Sequence, residues 1–114
     1  MIERKFFIAG VQHHQMNKVI NDLVEGEELN LVPEPDNKFD PNAIKIEYEG
    51  TMLGYVPKKL SAEIAAALET GSLCCMIETL NPTGKPWEWC EVIVTSSYEE
   101  EEEEDYEDID DEEE

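Results

Sequence analysis

The last sixteen of the 114 residues, 99–114, hold fourteen acidic side chains and no basic one. Like charge at that density, with so few apolar groups among it, cannot recover the entropy lost on ordering. Residues 96–114 therefore read as a disordered acidic tail. That leaves residues 1–95 to fold, as one domain able to bury a modest core without a metal or disulfides. The formal charge of −21 divides into −14 for residues 99–114 and −7 for the rest, so the folding body is only mildly acidic.

Within that body, short apolar runs alternate with turn formers. Residues 5–11 (KFFIAGV) are rich in aromatic and branched side chains and read as a first strand. Met16, Val19, Ile20 and Leu23 recur at helical spacing, which predicts a short amphipathic helix closed by Gly26. Residues 28–32 (ELNLV) form a second strand stopped by Pro33. Residues 43–48 (AIKIEY) alternate apolar and polar side chains as a half-buried strand must. Glu49 and Gly50 make a hairpin turn into a return strand over 51–56, where Gly54 marks a bulge or the close approach of another backbone. Residues 58–70 combine good helix formers with apolar Leu60, Ile64, Ala67 and Leu68, and Gly71 supplies the stop. Residues 73–80 and 87–95 read as two further strands around an Asn81–Gly84 loop. The fold class is thus mainly β with two short helices, a small β-barrel of about six strands with helical plugs.

The amino terminus has no apolar stretch of signal-peptide length and no run approaches a membrane span, which implies a cytoplasmic location and no membrane partner. Three cysteines in apolar runs fit reduced thiols better than a disulfide framework, and adjacent Cys74 and Cys75 point to opposite faces of a strand. The histidines are His13 and His14, and no GxSxG elbow, phosphate-cradling glycine loop or HExxH pairs a nucleophile with a base. The expectation is a protein without catalysis and without a cofactor. Zinc is a weak candidate on His13, His14, Cys74, Cys75 and Cys90, because a structural zinc site usually shows a CxxC-type pair.

Functional chemistry concentrates in residues 34–60. Phe39 stands beside Asp40 in a segment of turn formers. An exposed aromatic there can stack on a nucleobase, while the carboxylate accepts from a sugar hydroxyl. The plainer alternative makes Phe39 a core residue and Asp40 a turn initiator before Pro41. Lys58 and Lys59, with Lys38 and Lys45, are candidates to carry phosphates, or else mark a solvated helix start. Trp87 and Trp89 would share one face of a strand, as a stacking platform or as core. The tail can serve solubility, dock a basic protein, or cover a basic groove as a nucleic-acid mimic.

Three strings, FFIAGVQHH at 6–14, EPDNKFDPNAIKI at 34–46 and LGYVPKKL at 53–60, resemble the HIRAN domain family. The similarity keeps its order and spacing over roughly residues 4–95, in the manner of the stand-alone bacterial members. The resemblance implies an OB-like β-barrel that binds single-stranded DNA. In some members it recognises a free 3′ end, in DNA repair or the processing of stalled replication forks. By position it implies that Phe39 stacks on a terminal base, Asp40 accepts from the 3′-hydroxyl, and Tyr55 and Lys58 face phosphate. His13 and Asn37 complete the DNA-binding set. The chain departs from the DNA-end binders at two positions: His13 falls where they have a stacking tyrosine and Gln12 where they have an arginine. Both changes weaken the hold on a strand.

Overall fold

Six strands are hydrogen-bonded in the order β1-β6-β5-β2-β3-β4, every neighbouring pair antiparallel. They are β1 (Glu3–Phe7), β2 (Glu28–Pro33), β3 (Ile44–Tyr48), β4 (Thr51–Tyr55), β5 (Leu73–Leu80) and β6 (Cys90–Ser96). The computed structural model describes residues 2–96. Strand β2 is the corner of the sheet: Glu28 and Leu29 pair with β5, while Asn30 to Pro33 pair with β3. The sheet curls until the chain just past β1 meets β4. Ala9 donates to the Tyr55 carbonyl at 2.8 Å and Tyr55 donates back at 2.9 Å. This single bridge draws the two ends of the sheet into a curled, OB-like half-barrel.

The interior is filled by alternation. Cys90, Val92, Val94 and Ser96 of β6 are buried, as are Ile44 and Ile46 of β3 and Leu53 of β4. Helix α2 (Lys58–Thr70) follows its sequence pattern and contributes a fully buried Ile64. The helix stops at Gly71 as the sequence predicts; the residue is extended, and its N–H reaches the Ala67 carbonyl at 3.1 Å. The β3–β4 hairpin turns on Glu49 and Gly50, both at positive φ (48° and 84°), the conformation a two-residue type I′ turn requires. Gly54 is the close approach: a Cβ there would lie 2.4 Å from the Ala9 carbonyl oxygen, so only glycine lets the bridge form.

Three segments differ from the sequence reading, each for a local reason. Strand β1 stops at Phe7. Gly10, at φ 71°, then reverses the chain into a 3-10 turn over Val11–His13 that buries Val11 and leaves His13 outside. The helix expected from Met16 is one α turn, α1 (Met16–Val19), followed by a 3-10 turn at Ile20–Asp22. Asparagine, aspartate and adjacent β-branched residues there are poor helix formers, yet Met16, Ile20 and Leu23 are buried as the periodicity requires. Gly26 does not cap that helix; at φ 96° it leads into the sheet and donates to the Ile77 carbonyl at 2.8 Å. Finally, Pro86–Glu88 is a 3-10 turn because proline suits the first turn position, so Trp87 and Trp89 do not share a strand face. Trp87 is 60% exposed beneath Lys85 Nζ, whereas Trp89 is half-buried and donates its indole N–H to the Gly84 carbonyl at 3.0 Å.

Strand β6 runs one residue beyond Thr95. Buried Ser96 accepts the Ile2 N–H on its hydroxyl at 2.9 Å and donates its own N–H to the Ile2 carbonyl at 3.1 Å. The rest of the expected acidic tail lies outside the described residues. Among the described residues, no helix is long and apolar enough to cross a membrane.

Candidate nucleic-acid interface

An open groove of about 570 Å³ lies where the barrel closes, between the loop after β2, the turn after β1, the end of β4 and the start of α2. It brings together all six residues selected from the sequence: His13, Asn37, Phe39, Asp40, Tyr55 and Lys58. Ala9, Gly10, His14, Ala43 and Val56 complete the wall. A larger depression of about 740 Å³ beside Ile2, Glu63 and Leu73 has no aromatic or cationic side chain in its lining, so the smaller groove carries the chemistry.

The corner at 37–40 is built by side chains capping backbone. Asn37 Oδ1 accepts the N–H groups of Phe39 (2.8 Å) and Asp40 (3.0 Å), an Asx turn that turns the chain outward at Phe39. Phe39 is 86% exposed, which removes the core alternative for this residue. Asp40 is fixed differently on its two oxygens: Oδ1 accepts the Asn42 N–H at 2.9 Å and Oδ2 accepts the Ser61 hydroxyl at 2.7 Å. Those bonds, Ser61 first, and the positive charge of Lys58 hold the Asp40 carboxyl below its ordinary pKa. Lys58 opens α2, is exposed, and among the described residues forms no ion pair.

Behind the corner sits Glu34, to which the sequence reading gave no role. Its Oε1 accepts from Asn37 Nδ2 at 2.8 Å and from the Tyr55 hydroxyl at 2.7 Å. These bonds, Asn37 first, lower the Glu34 pKa, and the same bond to Glu34 raises that of Tyr55. The proton of Tyr55 is thus held by a carboxylate, so a phosphate could receive it only by displacing Glu34. His14 packs edge-on against the Tyr55 ring at 5.6 Å between centroids. Lys45 lies between Glu34 (4.0 Å) and Glu47 (3.5 Å), which neutralises a charge expected for phosphate. Ser61, buried in the first turn of α2, also escaped the sequence reading; its partner Asp40 lies 21 residues away.

The candidate zinc ligands are not assembled. Among the described residues no group of three or more His, Cys, Asp or Glu side chains is placed to hold a metal. His13 and His14 line the groove, while Cys75 and Cys90 lie in the core, where burial pushes both thiols up to about 12 and keeps them protonated. Cys74 is half-buried and its thiol meets Glu28 Oε2 at 3.1 Å.

Fold and groove together define a small OB-like β-barrel with an open groove at its seam. The chain belongs to the HIRAN domain family, whose model matches residues 3–95. Among solved structures it is similar to the HIRAN domain of human HLTF, with a TM-score of 0.67 and 16% identity over 82% of this chain and 74% of that one. It is also similar to a protein from Lactobacillus plantarum, with a TM-score of 0.70 and 17% identity over 82% of this chain and 95% of that one. In sequence it is 38% identical over 58 residues to a Fanconi-associated nuclease 1 homolog from Oryza sativa subsp. japonica. That stretch is 47% of this chain but only 6% of that relative.

Proposed function

We propose that the groove is a binding site for the end of a single DNA strand, and that the domain acts by binding without chemistry of its own. The observation that carries this reading is the pairing of a protruding aromatic, Phe39, with a neighbouring carboxylate held in one orientation by Ser61 and Asn42. Stacking on an exposed ring recognises any base, because every base has a π-face, and contributes about 1–3 kcal/mol. Each Asp40 oxygen accepts one bond within the protein and keeps a further lone pair, enough to accept the hydrogen of a terminal 3′-hydroxyl. Lys58 is the cation left for the adjacent phosphate, and His13 lies in the same groove for a second base. Membership of the HIRAN family and the resemblance to a nuclease homolog's segment favour a setting in DNA repair or replication-fork processing.

The test is fluorescence anisotropy with 5′-labelled oligonucleotides ending in a 3′-hydroxyl or a 3′-phosphate. Binding should require the hydroxyl and fall at least tenfold in Asp40→Ala, the scale of one lost charge-assisted hydrogen bond of about 1.5–3 kcal/mol. Equal, negligible binding to every oligonucleotide would sink the proposal.

A further inference from the structure

The geometry points to Glu34 as a specificity-determining residue, whose charge makes the groove reject an anionic chain end. This rests on reading the groove as a strand-end site. One carboxylate oxygen of Glu34 joins two walls: through Asn37 it holds the Phe39–Asp40 corner, and through the Tyr55 hydroxyl it holds the end of β4. Directionality follows from these bonds. Both Asn37 Oδ1 bonds go to backbone N–H groups and its Nδ2 donates to Glu34, so the amide has no freedom to flip. Tyr55 has spent its proton on Glu34 and turns only lone pairs to a ligand. Asp40, ionised, also only accepts.

Hydrogen-bond acceptors therefore dominate this side of the groove, and a donor such as a hydroxyl satisfies them. A terminal phosphate monoester brings acceptors and negative charge to a wall that already holds two carboxylates. The nearby cations do not offset both. Lys45 is shared between Glu34 and Glu47, which leaves Lys58 at the groove's rim. Asp40 alone would meet the end group, but Glu34 supplies a second negative charge behind it and fixes the acceptor-only state of Tyr55.

Full-length chains carrying Glu34→Gln and Glu34→Asp test this with oligonucleotides that differ only in a 3′-hydroxyl or 3′-phosphate. Glu34→Gln keeps the size of the side chain and removes the charge. It should shrink the hydroxyl-over-phosphate preference by roughly three- to tenfold, the scale of one unit charge across a wetted groove. Glu34→Asp keeps the charge and should keep most of the preference. By NMR, the Tyr55 ring and the Asn37 side-chain amide should titrate together in the wild type, with a midpoint below the ordinary glutamate value of 4.5, and lose that step in Glu34→Gln. An unchanged preference in Glu34→Gln, or an equal loss in Glu34→Asp, overturns the role of the charge while leaving the strand-end reading intact. Failure of wild type and variants to bind either end rejects both.

Discussion

Phe39 protrudes because Asn37 caps the backbone on either side of it, so its apolar ring is available to a ligand and contributes nothing to the core. Phe39→Ala should therefore separate binding from stability. Loss of one stack, about 1–3 kcal/mol, corresponds to roughly a 5- to 150-fold weaker Kd by anisotropy, while thermal melting stays unchanged. Asp40 and Glu34 behave in the opposite way, because both are bonded in the folded state and both carboxyls are held below their ordinary values of 3.8 and 4.5. A depressed folded pKa gives stability that is fully present above the ordinary value and lost as pH falls through the lowered one. Denaturant unfolding of wild type and Asp40→Asn should show a gap at about pH 6 that narrows progressively as pH falls below the ordinary carboxyl value of 3.8; a gap that widens in acid would refute the assignment. The Phe39–Asp40 corner was legible in the sequence because its turn chemistry is local, Asn37 to Phe39 and Asp40, Asp40 to Asn42. Glu34 and Ser61 were not, because their decisive partners, Tyr55 and Asp40, are each 21 residues away.

The same division between local and distant causes holds for the elements. Strands β3, β4 and β5 and helix α2 were legible within a residue or so, because alternation and helical spacing are intrinsic to each segment. The turn after β1 and the tryptophan segment were not, since each follows from a single residue, Gly10 at φ 71° and Pro86, that redirects an otherwise strand-like run. Gly54 shows what a single position decides for the barrel as a whole. It lies against the Ala9 carbonyl and Ile8, where the curled sheet meets itself, and Ala9 and Tyr55 on either side of that seam both line the groove. Gly54→Ala must push the seam apart. The expected destabilisation is about 1–3 kcal/mol, as for other overpacked sites, which lowers Tm by roughly 4–8 °C per kcal/mol in a domain of this size. Amide exchange at Ala9 and Tyr55 should accelerate more than in β5 or β6. Exchange that rises uniformly would show that the bridge is not a separate, weaker unit.

For the whole molecule, charge sets a problem that no single residue solves. A strand-end site must attract phosphate, yet the full chain carries a formal charge of −21, of which residues 99–114 supply −14. In the groove only Lys58 offers a cation outside an ion pair among the described residues, so few counterions are released on binding and the salt dependence from this source is shallow. The long-range term then has the other sign, because the acidic run repels the strand and added salt screens that repulsion over a Debye length of about 8 Å at physiological ionic strength. Strand β6 closes at Ser96, so a chain ended at Ser97 keeps every described strand while losing the acidic run. Such a chain should bind a 3′-hydroxyl oligonucleotide more tightly than the full chain at about 20 mM salt, chiefly through a faster association rate, and the two should converge as salt rises towards about 0.5 M. Identical affinities at low salt would mean that the acidic run does not act on the groove. A basic protein retained from host lysate by the full chain and lost by the shortened one would then assign the run to docking that partner.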